Sequence, residues 1–526
     1  MLHGPLRVLT SKDAELSWTT GYVRRCLSST DLVMVVGVAE LGDMDDAAPR
    51  VVDTPLGWGA REEMNAAEAV MWRVEVDRTL RSTGLVLEEL DTLPDWDRFL
   101  AAHEWGVRMA ARFRQRVVEA PLGLGAPRWT VDPDFDLRFH VRRARLPEGG
   151  GWPELLEAAA QVAMTPFDRT RPPWEAVLYE GLPGGRAAYL LKVHHSATDG
   201  LSAIQLLEQL HPPTREPNLA KPQPRQTDEQ PTSPLGALAG QVRGDVQAVP
   251  ALAREAGSLA LSSLTNPVGA LRSATRYGQS LYRVLSPPAA AGSPLLARRS
   301  LSWRFTALDI RFADLRAAGK AAGGSVNDAF LAALLGAYRR YHAAMDTPVD
   351  SIPMTIPISV RKPDDPPGGT RITAARFAAP VSTADPQARI QQVHALVRAV
   401  RSEPALDAVG LISPLMARLP GSLTARITGP LTKANDLQAS NIPGITREAY
   451  LAGAKIERMY IFGPLPGCAA MITLVSHGET ACVAANLDTA SFTEPELFEH
   501  SLVDGFAEVL ALRPGAHPPV RRGGPG

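Results

Sequence analysis

Two adjacent histidines, His194 and His195, are the residues of this chain best suited to chemistry. They follow a short apolar run, residues 189–193, and are followed after three residues by Asp199 and Gly200. An imidazole can take a proton from a hydroxyl group near neutral pH. A nearby aspartate can orient the site, and a glycine lets the backbone turn tightly. This combination suits acyl transfer to an alcohol or an amine without a covalent enzyme intermediate.

Only one histidine of the pair can address a given substrate atom. Neighbouring side chains of a strand point to opposite faces, so one ring would face the reaction and the other would pack behind it. Ser196 is adjacent to His195, but a serine and a histidine this close in sequence rarely have the geometry of a relay. We therefore do not assign Ser196 as a nucleophile.

Asp199 has two candidate roles. It can orient an imidazole, as the aspartate of a catalytic triad does. It can instead hold the loop, either by pairing with an arginine elsewhere or by capping the helix that follows. Because an aspartate four residues beyond a histidine need not point at its ring, we favour the structural role.

Composition excludes several classes of protein. The chain has 526 residues, which predicts more than one domain, and 21% of them are charged. A formal net charge of −1 argues against nucleic acid as an electrostatic partner. Three cysteines predict a reducing compartment, and no Cys/His cluster has the spacing of a structural zinc site. The first residues lack a signal-peptide pattern and no early apolar run could span a membrane, which predicts a cytoplasmic protein.

The pattern of elements predicts an α/β (α+β) fold with two similar halves. Residues 1–60 are an unassigned extension, with Met64 as an alternative start. Residues 61–211 form the first half, 212–299 a linker with crossover helices, 300–515 the second half, and 516–526 a disordered tail.

The elements around the histidine pair predict how it is positioned. Residues 174–182 and 186–194 are typical of two strands, and Pro183-Gly184-Gly185 between them indicates a hairpin. Residues 201–210 carry leucine and isoleucine on one helical stripe. The pair therefore lies where a strand ends and a helix begins. Upstream, residues 99–118 are typical of a helix with a charged face.

The segment 236–305 has two interpretations. It holds eight arginines but only two acidic residues, Asp245 and Glu255, so it could lie on an anionic lipid surface. It could also form a pair of crossover helices packed between the halves, which is the interpretation that we favour.

The motif His-His-x-x-x-Asp-Gly resembles the active-site motif of the CoA-dependent acyltransferase superfamily. Companion motifs resemble those of the bacterial wax ester synthase/diacylglycerol acyltransferase family within it. In chain order they are residues 129–143, Asp168–Glu175 with Pro173 in place of a leucine, Val326–Asp328, Pro357–Arg361 and Ser440–Gly444. The resemblance covers about residues 64–510. The chain departs from the family pattern at two places. It has Gly368–Arg371 where the family has a Gly-Asn pair, and Glu68 where an aspartate is common.

The resemblance implies two chloramphenicol-acetyltransferase-like domains, each a mixed sheet with flanking helices, and an active-site channel between them. It implies transfer from acyl-CoA to diacylglycerol or a fatty alcohol, which gives triacylglycerol or wax ester. His195 would be the general base, His194 would support it, Asp199 would orient the loop and Gly200 would allow the turn. The reaction needs no metal and no bound cofactor, since acyl-CoA is a co-substrate. Any contact with the plasma membrane or with lipid bodies would then be peripheral.

Five further residues are candidates for the lining of the channel, and each has a structural alternative. Trp174 could belong to the core at the entrance of a strand, and Asn327 and Asp328 could cap a helix. Ser440 and Asn441 precede a Pro-Gly turn that the resemblance places near the active-site loops. A condensation-type acyltransferase with another acceptor, and a lipid-surface protein without catalysis, remain the alternative functions.

Overall fold

The structure is a computed structural model. The residues it describes are 62–218 except 124, 231–240, 290–361, 368–402 and 416–522, with 23–24, 35–36, 51–52, 58, 223–224 and 243. The predicted extension 1–60, the linker 212–299 and the basic segment 236–305 therefore lie mostly outside the described residues. Two short strands, Val23–Arg24 and Val35–Val36, pair within a compact unit of residues 1–50 and 219–222, and the remaining chain forms a second unit. Everything below concerns the second unit.

Most strands of this unit build two large mixed sheets and one hairpin, and residues 51–52 and 223–224 form a further short parallel pair. The strands labelled here are β1 (Thr83–Leu90), β2 (Gln115–Val118), β3 (Arg128–Val131), β4 (Val141–Arg145), β5 (Trp174–Glu180), β6 (Ala187–His194), β7 (Trp303–Arg311), β8 (Ser351–Ser359), β9 (Ile372–Pro380), β10 (Leu437–Ile442), β11 (Tyr450–Leu451), β12 (Ala454–Phe462), β13 (Ala470–His477), β14 (Thr480–Asp488) and β15 (Val520–Arg522). The first sheet has the order β11-β12-β1-β6-β5-β4, and the second has the order β9-β8-β10-β13-β14-β7-β15. Strands β2 and β3 form the hairpin.

Helices cover both sheets. They are α1 (Ala66–Val74), α2 (Trp96–Met109), α3 (Leu137–His140), α4 (Trp152–Met164), α5 (Gly200–Leu210), α6 (Phe312–Ala321), α7 (Val326–Ala344), α8 (Pro386–Arg401), α9 (Gly421–Lys433) and α10 (Pro495–Leu510). Helix α7 begins with a capping box of Ser325 and Asp328, which satisfies backbone donors at its first turn. Among the described residues, no helix is long and apolar enough to cross a membrane.

The predicted α/β fold with two mixed sheets is confirmed. The predicted hairpin is present as β5 and β6, which pair antiparallel. β6 is buried along its whole length, as expected for a continuous apolar run inside a sheet. The predicted helix over residues 99–118 is wrong in its second half, because α2 ends at Met109 and residues 115–118 form β2.

The first sheet is completed by the second half of the chain. β12 pairs antiparallel with β1, and β11 continues the same edge. No sequence pattern indicated this exchange, because strand patterns do not specify partners. The prediction of a disordered tail is also wrong in part: β15, at residues 520–522, pairs with β7 at the edge of the second sheet.

Strands β8 and β10 separate after a short contact. They pair in parallel only at Met354 with Leu437 and at Thr355 with Gln438. Beyond these positions each strand continues for four more residues, towards Ser359 and Ile442. The second sheet is therefore split at the end that bears Ser440 and Asn441, which are partly and fully exposed.

Candidate active site

The histidine pair lies at the turn between β6 and α5. His194 is the last residue of β6. Its N–H donates to the carbonyl of Pro173, the residue just before the neighbouring strand β5 (3.0 Å). His195 follows directly, and its N–H donates to the carbonyl of Ser82, just before β1 (2.8 Å). Two neighbouring strands therefore fix the backbone of the pair, as the strand-to-helix position predicted.

The His194 side chain is fully buried and held on both nitrogens. Nδ1 accepts the Ser196 N–H (3.1 Å) and lies 2.7 Å from the Ser196 hydroxyl. Because Nδ1 is an acceptor, we assign the ring proton to Nε2, which lies 3.0 Å from a carboxyl oxygen of Glu75. The rings of Trp72 and Phe167 pack edge-on against the imidazole. His194 is thus a packed, positioning residue, and the Ser196 hydroxyl is occupied by it.

Glu75 is a site residue to which nothing in the sequence pointed. Burial alone would raise the pKa of this carboxyl, but His194, the Ser82 N–H and Arg169 together hold the pKa below its usual value. Its oxygen Oε1 accepts the Ser82 N–H at 2.8 Å. Glu75 therefore joins the His194 ring to the segment that holds the backbone of His195.

The His195 ring is partly exposed and lies on the other side of the strand end from His194. Burial lowers the pKa of this imidazole; the charge of Asp199 and the carbonyl of His195 itself raise it, while His194 lowers it further. The net effect is a pKa below the ordinary value of 6.5. The ring is therefore neutral at neutral pH, which is the form that accepts a proton.

Asp199 binds three groups of the loop and the second half. Oδ1 caps α5 by accepting the Ser202 N–H (2.8 Å), and Oδ2 accepts the Arg371 N–H (3.0 Å). The Arg361 guanidinium lies 3.7 Å from Oδ2. No hydrogen bond between Asp199 and the His195 ring is found in the described part of the chain, so the carboxylate acts on that ring through its charge.

The predicted reason for Gly200 is wrong. Gly200 is the first residue of α5 and does not have a positive φ, so no special turn requires it. A Cβ at this position would lie 2.7 Å from the Ile442 Cδ1 at the end of β10. A larger residue here would have to displace the end of the Ile442 side chain, because the second sheet packs directly against the start of the helix.

The segment Gly368–Arg371, where the sequence departs from the family pattern, holds the His195 loop. Thr198 forms a parallel bridge with Gly369, and the Thr370 hydroxyl donates to the His195 carbonyl (2.5 Å). The Thr370 N–H donates to a carboxyl oxygen of Glu68 (3.1 Å). Glu68, which also departs from the family pattern, therefore holds the segment Gly368–Arg371 in place. Both departures stabilise the backbone that carries His195.

Arg361 ties the same segment to α5. Its guanidinium donates to the Ser202 hydroxyl (2.8 Å) and to the Gly368 carbonyl (3.0 Å). Together with Asp199, this arginine joins the end of β8 to the first turn of α5. The site is consequently built at the seam between the two sheets.

The five channel candidates are not brought together. Trp174 is buried at the start of β5, donates from Nε1 to the Phe113 carbonyl (2.8 Å), and stacks on His140 with ring centroids 4.6 Å apart. Ser440 lies on the same face of β10 as Ile442, which reaches Gly200, whereas Asn441 is exposed on the opposite face.

Asn327 and Asp328 lie at the start of α7. Asp328 caps the helix with Ser325 and accepts a hydrogen bond from His394 Nδ1 (2.8 Å). Within the described ranges, no hydrogen bond or ion pair joins either residue to the segment from His194 to Gly200. The capping interpretation of Asp328 is therefore the one that its contacts support.

Comparisons with known proteins agree with this architecture. A model described as the wax ester synthase/diacylglycerol acyltransferase catalytic domain matches residues 64–330, and a model of the C-terminal domain of the same family matches residues 368–510. A protein of Mycobacterium tuberculosis that carries the name diacylglycerol O-acyltransferase is 41% identical over 470 residues, 87% of this chain and 94% of the relative. A second protein of that organism, with the same name, is 30% identical over 86% of this chain and 90% of its own length.

Two solved structures show the fold. The wax ester synthase/diacylglycerol acyltransferase from Marinobacter aquaeolei VT8 matches with a TM-score of 0.57 at 21% identity, over 85% of this chain and 98% of that one. The first condensation domain of the calcium-dependent antibiotic synthetase matches with a TM-score of 0.54 at 16% identity, over 87% and 97%.

Proposed function

Since the chain belongs to the wax ester synthase/diacylglycerol acyltransferase family and is an acyltransferase, we propose that it transfers an acyl group from acyl-CoA directly to the free hydroxyl of diacylglycerol. Long-chain fatty alcohols are the second acceptor class. The observation that carries the proposal is the position of His195 directly after β6, on a loop that both halves of the chain hold.

His195 acts as the general base in this proposal. We assign the proton of the neutral ring to Nδ1, so that Nε2 accepts the hydroxyl proton. The acceptor oxygen then attacks the thioester carbonyl, the C–S bond breaks, and the imidazolium returns the proton to the thiolate of CoA. The products are an ester and free CoA, so no covalent enzyme intermediate is formed.

The test is a product analysis with the purified protein. It is incubated with labelled hexadecanoyl-CoA and either dihexadecanoylglycerol or hexadecanol, and lipid products and free CoA are quantified. We expect labelled triacylglycerol with an equal amount of CoA. Wax ester alone would overturn the proposed acceptor, and no ester with either acceptor would overturn the proposed function in favour of another acceptor class or a lipid-surface protein without catalysis.

The pH dependence follows from the lowered pKa of His195. Above this pKa the ring is neutral and can accept a proton; below it the ring is charged and cannot. We expect kcat/KM to fall on the acid side with a slope of one and a midpoint below pH 6.5. A midpoint at or above pH 6.5 in a kcat/KM profile would contradict the assignment of His195 as the base.

We further propose that the protein works in the cytoplasm and contacts a lipid surface through α9. Leu423 and Ile427, one turn apart on this helix, are 43% and 48% exposed, and Val76, which lies against the start of α9, is 59% exposed. Arg426 is exposed between the two α9 side chains. An apolar stripe beside a basic residue suits the surface of an anionic membrane or lipid body.

The double variant Leu423→Asp with Ile427→Asp tests this contact. We expect its binding to vesicles of anionic phospholipid to fall at least ~10-fold, because two apolar side chains no longer enter the lipid. Turnover of detergent-dispersed diacylglycerol should stay the same. Leu301→Asp, at another leucine that is 40% exposed, is the matched control. Equal sedimentation of the double variant and the wild type with the vesicles would exclude α9 as the contact.

A further inference from the structure

Arg376 is a partly buried arginine on β9, the edge strand of the second sheet. Within the described part of the chain, its guanidinium makes no hydrogen bond and no ion pair. Nε is enclosed, whereas the two Nη groups keep some exposed surface, so a ligand can reach them. Burial lowers the pKa of Arg376, and no described charge opposes this effect. Because a cation without a counter-charge is costly to bury, this side chain is suited to an anionic ligand.

Arg376 belongs to the face of the second sheet that is turned towards the first half of the chain. Its neighbours Ala375 and Phe377 lie in the apolar core that α7 and α8 cover, so Arg376 points to the opposite face. On that opposite face, Ile442 meets the start of α5, and Val475 packs among residues of the first sheet. The guanidinium is therefore on the side of the sheet where the site is built.

Arg376 is one end of a polar row that crosses three strands. It pairs with Thr355 of β8, and Thr355 pairs with Gln438 of β10, so the three side chains share one face. Ser440 lies two residues further along β10 on the same face. The side chains of Gln438 and Ser440 are partly exposed and make no hydrogen bond among the described residues. Such a row suits a polar ligand better than an aliphatic chain.

The polar row lies at the closed end of the split between β8 and β10. At the open end Ile372 pairs with Ser359, and two residues before Ile372 the Thr370 hydroxyl holds the His195 carbonyl. Arg376 is six residues from Thr370 along the chain, about 20 Å at ~3.3 Å per residue. A ligand that starts beside His195 and follows the split therefore reaches Arg376 after about this length.

We propose that Arg376 binds the pyrophosphate of the acyl-CoA donor, whose pantetheine arm lies along the split. The inference rests on the proposed function, because it requires a thioester beside His195. About thirteen bonds join the sulfur of CoA to the nearest phosphorus, roughly 16 Å when extended, since three bonds of an extended chain span about 3.6 Å. With the reach of an arginine side chain, this length matches the span of about 20 Å. A guanidinium holds phosphate oxygens in a bidentate manner, and Gln438 and Ser440 can bind the two amide groups of the arm.

The site is tested by comparing donors with and without phosphate groups. Arg376→Met keeps a long side chain but removes the charge. We expect kcat/KM for hexadecanoyl-CoA to fall about 10–100-fold, because hydrogen bonds to a charged group are lost, and kcat/KM for S-hexadecanoylpantetheine to stay within about twofold. Arg376→Lys, which keeps a point charge, should recover part of the loss. Arg398→Met, at an exposed arginine of α8 on the other side of the sheet, is the matched control and should change neither value.

Free CoA provides a readout that needs no turnover. Without ligand, Arg376→Met should not lower Tm, because it removes a partly buried charge that has no counter-charge. Saturating CoA should raise the Tm of the wild type and of Arg398→Met, since a ligand that binds the folded state stabilises it. The rise should be much smaller in Arg376→Met. An equal rise in all three proteins would exclude a contact between Arg376 and CoA.

Hexadecanoyl-dephospho-CoA, which lacks only the 3′-phosphate, locates the contact on the donor. We expect Arg376→Met to lose as much activity with this donor as with hexadecanoyl-CoA. A loss that disappears would assign Arg376 to the 3′-phosphate and overturn the pyrophosphate contact. An equal loss with S-hexadecanoylpantetheine, or no loss with any donor, would show that Arg376 binds no phosphate. If the wild type makes no ester from any donor, the proposed function is wrong, and the CoA-dependent Tm then still decides whether Arg376 binds CoA.

Discussion

His195→Ala is expected to lower kcat/KM by about 10²–10⁴-fold, the usual value of a general base. The side chain is partly exposed and its ring makes no hydrogen bond of standard geometry to another side chain, so its removal should leave Tm within a few degrees of the wild type. The measurement is the steady-state rate of CoA release with diacylglycerol as acceptor, together with a thermal unfolding curve of the same preparation.

Ser196→Ala is the matched control for this variant. The Ser196 hydroxyl is buried and occupied by His194 Nδ1, so its loss should reduce activity less than about 10-fold and lower stability by about 1 kcal/mol. If His195→Ala turns over at a near-normal rate, His195 is not the base. If Ser196→Ala is as inactive as His195→Ala at unchanged stability, the exclusion of a serine nucleophile is wrong.

Asp199→Ala is expected to lower the free energy of unfolding by about 2–4 kcal/mol. It removes the cap of α5, worth about 1 kcal/mol, and takes the Asp199 acceptor away from the partly buried Arg371 N–H. Typical domains are stable by only about 5–15 kcal/mol, so the soluble yield should fall as well. The measurement is the midpoint of urea unfolding alongside kcat/KM.

Asp199→Asn separates the two contributions. Its carbonyl oxygen can still accept the Ser202 N–H, but the charge that faces Arg361 is lost. We expect a smaller loss of stability than in Asp199→Ala. The acid limb of the kcat/KM profile should also move to lower pH, because the carboxylate is one of the groups that raises the pKa of His195. A loss of activity without any loss of stability in both variants would instead favour a relay role.

Local features of the site could be predicted from sequence. The apolar run of β6, the Pro-Gly-Gly turn before it and the leucine stripe of α5 placed the histidine pair at a strand-to-helix turn. Strand alternation then allowed only one of the rings to face the substrate. Each of these steps depends on residues that are near in sequence, where periodicity carries information.

The residues that hold the pair come from distant parts of the chain and leave no local trace. The Thr370 hydroxyl donates to the carbonyl of His195, which is 175 residues away in the sequence. The Asn65 side chain donates in turn to the Thr370 carbonyl, 305 residues away. Glu75 directly follows a short helix, and no sequence pattern distinguishes it from any other glutamate. Contacts between the two sheets decide these roles, and a single sequence does not specify them.

The two wrong predictions, for Gly200 and for the last residues, have the same physical cause. Gly200 was assigned to a turn because glycine commonly permits one, but the group it leaves room for is the Ile442 side chain of the second sheet. Residues 516–526 were assigned to a disordered tail, yet residues 520–522 pair with β7. In both cases a contact with a distant part of the chain, which local sequence patterns do not show, determines the structure.

The pairing of β12 with β1 also has a consequence for biosynthesis. Leu90 of β1 leaves the ribosome long before its partner Ile456, which is made roughly 370 residues later. At about 5–20 residues per second, β1 waits some 20–70 s for this partner. Throughout that time the nascent first sheet presents an open apolar edge, the kind of surface that templates aggregation. A prematurely terminated chain is therefore an aggregation hazard to the cell rather than a smaller enzyme.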